Sequence, residues 1–546
     1  MASTRKKAHM WRLVICWFTV ALFLEATSAS SQPPNLVMIL ADDLGWHDVS
    51  YHGSDQIPTP NIDVLAMDGI ILFHNYVQPL STPTRAALLT GLYPIHTGTQ
   101  RLDIGSADPI GLSVDFTLLP QHLRDLGYST HMVGKWHLGF CKDEFKPTKR
   151  GFDTFYGIYN GDSDYWTHFA RDNNIDVSGH ALKDEKRALV EEAGRYLTSL
   201  LANQAVQLIH NRPKNKPFFL YFAPTAVHCG GSNGSLQAPK EYISKFGYLA
   251  DYDRQLFAGS LAELDKSVGL IVEALYVSGQ LSNTVIAFST DNGGAPVGFS
   301  ANTSPNWPLR GTKGTVAEGG VRGPGFLWSS SLTTRGRVTQ QLFHVTDWMP
   351  TFYTAAGGQA KDLTMIDGVD QWESLTRGAP SPRKEVLYNI DPISDQSAIR
   401  GERYKIMEDK NNSLYPNYDW YEPTGSFAAG HWSSLQEQRQ ACLVAQVLSC
   451  YHGKTLETPA EHPDAVLTEI VSGGDFCHPS LGTCMYDLLT DPWERFNIYK
   501  PDHPEYMKLR ARLEELKLTM KAPVFGVADP KANPLRRNGV WDSWLD

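Results

Sequence analysis

Cysteine is scarce in this chain, with 7 in 546 residues. So low a content excludes a small disulfide scaffold, and the length suffices to bury a large apolar core without staples. Positive charge is short as well. Lys and Arg number 49 against 59 Asp and Glu, a formal net charge of −10, which argues against a nucleic-acid binder. Such a chain does not draw polyanions from a distance, so any anionic ligand must be held by local cations. Past residue 30 no apolar run is long enough to span a bilayer core of roughly 30 Å. Internal repeats and low-complexity tracts are absent too. With 42% apolar and 20% charged residues, neither disorder nor a fibrous class is favoured.

The single long apolar run, Leu13 to Leu24, follows the basic residues Arg5, Lys6, Lys7 and Arg12 and precedes the small residues Ala26 to Ser30. It is too short for a membrane anchor and reads as a cleaved secretory signal covering 1–30. Its removal takes away four basic residues and one acid, and moves the formal charge from −10 to −13. The mature protein is then expected in the secretory pathway, lysosomal or extracellular, and not membrane-spanning. Cys141, Cys229, Cys442, Cys450, Cys477 and Cys484 remain, an even number in an oxidising compartment. Close spacing favours the local bridges 442–450 and 477–484, which leaves 141–229. Sequons at Asn233, Asn302 and Asn411 offer surface glycan sites.

Strand-like runs alternate with helical stretches through the first 350 residues or so. Asn35–Leu40, Ser129–Val133, Pro217–Phe222 and Thr284–Phe288 are short and rich in Val, Ile, Leu, Phe or Tyr, as strands covered on both faces should be. Helical patterns fall between them, including Lys186–His210 and Gln255–Tyr276. The alternation predicts an α/β fold, a large and mostly parallel sheet flanked by helices. Beyond about residue 385 the runs shorten. Ser397–Met407, a cysteine-bearing stretch and a charged helix near Glu505–Lys521, with Leu509, Leu513, Leu516 and Leu518 as its packing stripe, suggest a smaller C-terminal α+β domain. The expected division is 1–30 signal, 31–385 N-terminal domain and 386–546 C-terminal domain.

Ligands of open α/β sheets bind beyond the carboxyl ends of the strands. Here those ends carry polar residues. Asn35–Leu40 runs into Asp42 and Asp43, Ser129–Val133 into Lys135 and His137, Pro217–Phe222 towards His228, and Thr284–Phe288 into Asp291 and Asn292. Each alone is as well explained by a turn or a cap. Four such placements on one rim make a site. Asp42, Asp43, Asp291 and Asn292 offer only hard oxygen donors, which suit Ca²⁺ or Mg²⁺, and carboxylates so close need a cation. Lys135 and His137, two apart on an extended segment, point the same way. A cation beside an imidazole suits a site that binds a tetrahedral anion and protonates its leaving group. In 81–93, Pro83 fits a first helical turn and Arg85 to Leu92 is a good helix run. Ser81 and Thr82 then stand at a helix N-terminus, where free N–H groups favour an anion.

These segments together resemble the type I sulfatases of the alkaline phosphatase superfamily, most closely the arylsulfatase B-like branch. The likeness rests on Asn35-Leu-Val-Met-Ile-Leu-Ala-Asp-Asp43, Ser81-Thr-Pro-Thr-Arg-Ala-Ala-Leu-Leu-Thr-Gly91, Gly134-Lys-Trp-His-Leu-Gly139, His228, Asp291-Asn-Gly293 and Leu309-Arg-Gly-Thr-Lys313. A weaker match, Tyr486-Asp-Leu-Leu-Thr-Asp-Pro492, lies near the C-terminus. The resemblance implies hydrolysis of a sulfate monoester of a sugar, aryl alcohol or glucoside. It implies one calcium ion on Asp42, Asp43, Asp291 and Asn292. Ser81 takes the nucleophile position and Arg85 orients it. Lys135, His228 and Lys313 hold the sulfate, with Lys313 near the bridging oxygen, and His137 assists activation or collapse of the adduct.

Where the family usually has a cysteine that is oxidised to formylglycine, this chain has Ser81. The hydrate of formylglycine carries two hydroxyls. One attacks sulfur and the other lets the adduct eliminate sulfate. Serine carries one. Three accounts follow: Ser81 is oxidised by a serine-accepting maturase, the chain is a pseudo-sulfatase that binds sulfated ligands without turnover, or the position is an engineered substitution.

Overall fold

The computed structural model describes residues 32–185, 187–230, 234–412, 414–424, 434–456, 462–467 and 473–546. The expected signal and the sequon asparagine Asn233 lie outside the described residues. Sixteen strands fall in chain order. They are β1 (Asn35–Ala41), β2 (Ile70–Tyr76), β3 (Ser129–Lys135), β4 (Thr154–Ile158), β5 (Phe169–Asp172), β6 (Val177–His180), β7 (Lys183–Asp184) and β8 (Arg187–Ala188). They continue with β9 (Phe218–Ala223), β10 (Thr284–Thr290), β11 (Gly325–Ser329), β12 (Arg337–His344), β13 (Glu385–Asp391), β14 (Gln396–Gly401), β15 (Tyr404–Asp409) and β16 (Cys484–Asp487).

A ten-stranded sheet runs β12-β2-β11-β10-β1-β9-β3-β4-β7-β8. The block from β10 to β4 is parallel throughout, so β1, β3, β4, β9 and β10 all deliver their carboxyl ends to one edge. Every residue of β1, β9 and β10 is buried. That is why their sequences are continuous apolar runs with no polar alternation. Helices Pro60–Asp68, Leu197–Asn211 and Tyr252–Val277 pack together as one group, and Ser81–Thr90, Leu119–Asp125 and Trp348–Ala355 as another. These two groups flank the sheet.

A second sheet, β13-β14-β15-β16, is antiparallel. Helix Pro504–Thr519 packs on it through Leu509, Leu513 and Leu516, against Leu387, Ile399, Ile406 and Met485. The other face meets Tyr76, Val316 and Val321 of the larger body. The chain end then returns to the large sheet. Asp542 pairs with Lys146 at 2.6 Å and Lys183 at 2.8 Å, and Trp541 and Trp544 are buried in the main core.

Several expectations are corrected. The helix expected over Lys186–His210 spans Leu197–Asn211; β8 occupies 187–188, paired to β7, and Gly194 in the left-handed region (φ 89°) interrupts the chain before the helix. Leu518 is 88% exposed and leaves the apolar stripe. Cys477–Cys484 is a disulfide. Cys442 is a buried thiol that caps helix Leu443–His452, so no 442–450 bridge forms. Cys141 and Cys229 are separate buried thiols, one beside Ile110 and the other beside Ser300. Asn302 is fully buried. Its amide donates to the Asp43 and Val227 carbonyls and accepts from Ala295 and Ser304 N–H, so it is a structural strut and no glycan can reach it.

Candidate active site

The carboxyl ends of β1, β3, β9 and β10 meet over the start of helix Ser81–Thr90. Leu80 precedes that helix in an extended conformation and Gly91 ends it in the left-handed region. All ten of its residues are buried. Ser81 Oγ accepts a hydrogen bond from Lys135 Nζ at 3.2 Å and donates to Asn292 Oδ1 at 3.4 Å. The same hydroxyl also helps to keep the neighbouring Asp291 ionised. One turn along, Arg85 donates to Asp291 at 2.8 Å and to the Lys135 carbonyl at 3.0 Å. Its place on the helix therefore braces β3 and β10 against the residue that carries the hydroxyl.

Charges alternate through the site. Lys135 Nζ lies 2.9 and 2.8 Å from the two oxygens of Asp42. Lys313 Nζ lies 2.8 Å from Asp43 and 3.3 Å from His228 Nε2. Asn292 Nδ2 donates to Asp43 at 2.6 Å, and the Asp43 N–H donates to Asp291 at 3.1 Å. Asp43 and His137 both have positive φ, 56° and 58°, a region that Asp and His enter more readily than most residues. His137 thus does not continue the extended run after Lys135. The chain turns there, and its ring reaches the wall formed by Gly161. Its Nδ1 is buried without a partner. The Asp-Asn-Gly turn needs its glycine, since a Cβ at Gly293 would stand 1.8 Å from the Gly319 carbonyl.

Burial shapes the protonation states. Desolvation and neighbouring Asp291 push Asp42 up to about 6, despite Lys135. Asp291 falls far below the carboxylate range: burial opposes this, but Arg85, Lys135 and Lys313 outweigh it. Burial works against a charged His228 as well, yet Asp43 raises it to about 10. Desolvation, reinforced by Lys135 and Arg85, drives His137 well down, so its imidazole is neutral.

The oxygen donors fit a divalent cation. Asp42 and Asp43 converge, and burial with Asp291 nearby keeps the Asp42 carboxylate raised even with Lys135 beside it; Asn292 turns its amide nitrogen to Asp43 and its oxygen to Ser81. Ligand atoms of Asp42, Asp43 and His228 lie within 4.8 Å of one another. Two acids missing from the sequence reading also belong here. Asp103 accepts from Thr82 N–H at 2.6 Å, at the start of the serine-bearing helix. Asp162 is raised by burial while it senses His228, Lys135 and Lys313. A signal for Asp162 was available, because the turn that holds it follows β4, the next parallel strand after β3.

With this geometry in view, comparisons with known proteins are informative. The family described as Sulfatase matches residues 34–358. Arylsulfatase J of Mus musculus is 36% identical over 532 residues, covering 95% of this chain and 82% of that protein. N-acetylgalactosamine-6-sulfatase of Homo sapiens is 32% identical over 380 residues, 67% of this chain and 70% of that one. Among solved structures, Ps i-CgsB superposes with a TM-score of 0.70 at 25% identity, covering 93% of this chain and 98% of its own. A second structure of that protein holds k-i-k-neocarrahexaose.

Proposed function

Since the chain belongs to the sulfatase family and is a sulfuric ester hydrolase, we propose that it is a calcium-dependent, arylsulfatase B-like enzyme of the secretory pathway, which cleaves a sulfate monoester of a sugar, an aryl alcohol or a glucoside at Ser81. The observation that carries this is the placement of the Ser81 hydroxyl. It is fully buried, held between Lys135 and Asn292, and ringed by Arg85, Lys313 and His228.

Asp42, Asp43, Asp291 and Asn292 are the residues that would hold the calcium ion; when bound, it supplies neutralising charge for the sulfate oxygens. Lys135, His228 and Lys313 hold the sulfate group. Ser81 Oγ attacks sulfur while Lys135, hydrogen-bonded to both groups, passes a proton to Asp42, the carboxylate raised to about 6, and takes up the proton of Ser81. The bond from sulfur to the ester oxygen breaks, and the alcohol leaves with a proton from Lys313 or the charged His228. Preorganised cations aimed at developing negative charge are the largest expected source of rate, about 10²–10³ for a single donor. Neutral His137 is an acceptor placed to assist a second attacking group.

That second attack is where Ser81 matters. A serine sulfate ester has no neighbouring hydroxyl through which to eliminate sulfate, so water must attack sulfur again. Rapid turnover therefore requires oxidation of Ser81 to formylglycine. Mass spectrometry of the peptide bearing Ser81, with an aryl sulfate assay on the same preparation, tests this. We expect either formylglycine (lighter than serine by two hydrogens) with sustained turnover, or serine with release of one alcohol per chain. Many turnovers from unmodified serine would refute the trapping step, and no release of alcohol would leave a binder of sulfated ligands.

A further inference from the structure

Lys313 reaches the site from a stretch that is neither helix nor strand. Gly311 and Gly314, on either side of it, both lie in the left-handed region, at φ 88° and 84°, where only glycine moves freely. Lys313 N–H donates to the Gly294 carbonyl at 3.0 Å, and Nζ ends 2.8 Å from Asp43 and 3.3 Å from His228. The place of the ammonium is therefore set by whatever holds the residues before and after it. Those holds come from the second sheet and its loops.

Three residues before Lys313 stands Arg310, fully buried. Its Nε donates to the Tyr418 carbonyl at 2.5 Å, Nη1 to the Tyr486 hydroxyl at 2.9 Å and Nη2 to the Cys477 carbonyl at 2.8 Å. The guanidinium also faces the rings of Phe476 and Trp420, 4.6 and 5.2 Å from their centroids. All three acceptors are neutral oxygens. A planar fork met by directed bonds and flat rings is held in one orientation, as a point charge would not be. Tyr418 brackets the lysine: its carbonyl takes Arg310, and its hydroxyl takes Val316 N–H at 3.3 Å. Gly311 N–H adds a bond to the Asp419 carbonyl at 2.9 Å, and the Tyr415 ring lies against Gly314, where a Cβ would meet it at 2.1 Å.

Two of the three acceptors of Arg310 share one covalent tie. Tyr486 lies on β16 and so does Cys484, whose disulfide with Cys477 brings the Cys477 carbonyl to the same guanidinium. We propose that Arg310 is a positioning residue for Lys313 and that the Cys477–Cys484 disulfide holds Arg310 in place. Together they keep the Lys313 ammonium at the ester oxygen. As the sulfur–oxygen bond breaks, one ammonium proton passes to the departing oxygen and leaves a neutral amine. This rests on the reading of Lys313 as the acid for the leaving alcohol. Loss of one anchor leaves a buried donor of Arg310 unpaired and lets the loop shift, and a shift of about 1 Å in a group acting on the reacting bond costs about 10²-fold in rate.

The leaving-group dependence of the first release of alcohol tests this, and it can be read whether residue 81 is serine or formylglycine. 4-Nitrophenol leaves readily without a proton and phenol does not, so a misplaced acid slows phenyl sulfate far more than 4-nitrophenyl sulfate. Rapid-quench rates are measured on the full chain for the wild type, Lys313→Ala, Tyr486→Phe and the double variant Cys477→Ser with Cys484→Ser, each shown to be folded by circular dichroism. Tyr486→Phe, which deletes a single oxygen, should slow phenyl sulfate about tenfold and 4-nitrophenyl sulfate by less than about threefold. The double variant should slow phenyl sulfate about 10²-fold, close to Lys313→Ala. A loss confined to phenyl sulfate in either variant supports the proposal, and if the double variant does not fold, Tyr486→Phe decides alone. Equal losses on the two esters, or none, with Lys313→Ala still selective, would overturn positioning through Arg310 and leave the acid role of Lys313 standing. Equal losses in Lys313→Ala itself would overturn both. A wild type that releases no alcohol from either ester would overturn them together with the reading of Ser81.

Discussion

Replacing Lys135 by Met tests the charge arrangement around Ser81, since methionine keeps most of the stem and removes only the ammonium. That ammonium contacts both oxygens of Asp42, at 2.9 and 2.8 Å, and Ser81 Oγ at 3.2 Å. Asp42 stands at about 6 while Lys135 is present. Without the ammonium its pKa rises further, and in EDTA at pH 7 the carboxylate takes up a proton. Protonating a group of pKa about 6 at pH 7 costs about 1 kcal/mol. Loss of the charge-assisted hydrogen bonds adds about 2 kcal/mol. The variant should therefore lose about 3 kcal/mol of stability at pH 7. At pH 5, where Asp42 is already mostly protonated, the first cost vanishes and about 2 kcal/mol remains. An Asp42 that stayed ionised without a partner would instead cost about 3–5 kcal/mol, with no relief on acidification until its own pKa is reached. Thermal melts in EDTA at the two pH values check the sign. In calcium buffer, hydrolysis of 4-methylumbelliferyl sulfate should fall about 10²–10³-fold, as for the loss of one preorganised donor. A melting deficit at pH 5 as large as that at pH 7, or activity within threefold of the wild type, would refute the reasoning.

Asp291→Ala removes an oxygen donor and should weaken calcium binding at least tenfold by calorimetry; unchanged affinity would take Asp291 out of the ligand set. Arg254 and Asp48 form a fully buried pair at 2.7 Å, so Arg254→Met should cost about 3–5 kcal/mol, and adding Asp48→Asn should restore much of it in a melt. Asp265 is held at about 7 by burial, although Ile62 N–H and Asn61 donate to it. Its folded pKa exceeds the unfolded value of about 4, so stability should fall as pH rises from about 4 to 7. That slope should flatten in Asp265→Asn, and an unchanged slope would exclude Asp265 as its source. Asn302→Gln should leave the protein's glycan mass unchanged and lower its melting temperature, because the longer side chain cannot repeat the four hydrogen bonds of Asn302.

The central sheet was readable because burial on both faces forces unbroken apolar sequences. β1, β9 and β10 show such sequences, and their boundaries shift by only a residue or two. The site was readable for a related reason: parallel strands must present their carboxyl ends together, so Asp42, Lys135, His228 and Asp291 could be assigned to one rim before any contact was known. What failed was information that is not local. The 186–211 segment has helical composition, but pairing of β8 with β7 takes its first part. Cysteine spacing says nothing about which elements face each other, so two of the three bridges were wrong. The sequon at Asn302 looks like any other until the strut it forms between Asp43 and Val227 is seen. Asp103 and Asp162 come from loops well separated from each other and from Ser81 in the chain, and only tertiary packing brings them to the site.

Ser81 is fully buried, and its hydroxyl is hydrogen-bonded on two sides. A pocket that served only to bind sulfate would need cations, and Lys135, His228 and Lys313 supply them. It would not need a hydroxyl buried at a helix start, oriented from one side by Lys135 and from the other by Asn292, with Arg85 pinning Asp291 behind it. Nor would a binder benefit from a carboxylate that burial, with Asp291 beside it, drives to about 6, since that destabilises the fold unless a cation is present. The cost is one that a bound cation would offset, and that cation together with Lys135 and Lys313 would face the charge that grows on a reacting sulfate. The geometry therefore supports attack at sulfur from position 81. What decides between one event and many is the number of oxygens on that side chain, a property of the side chain and not of the fold.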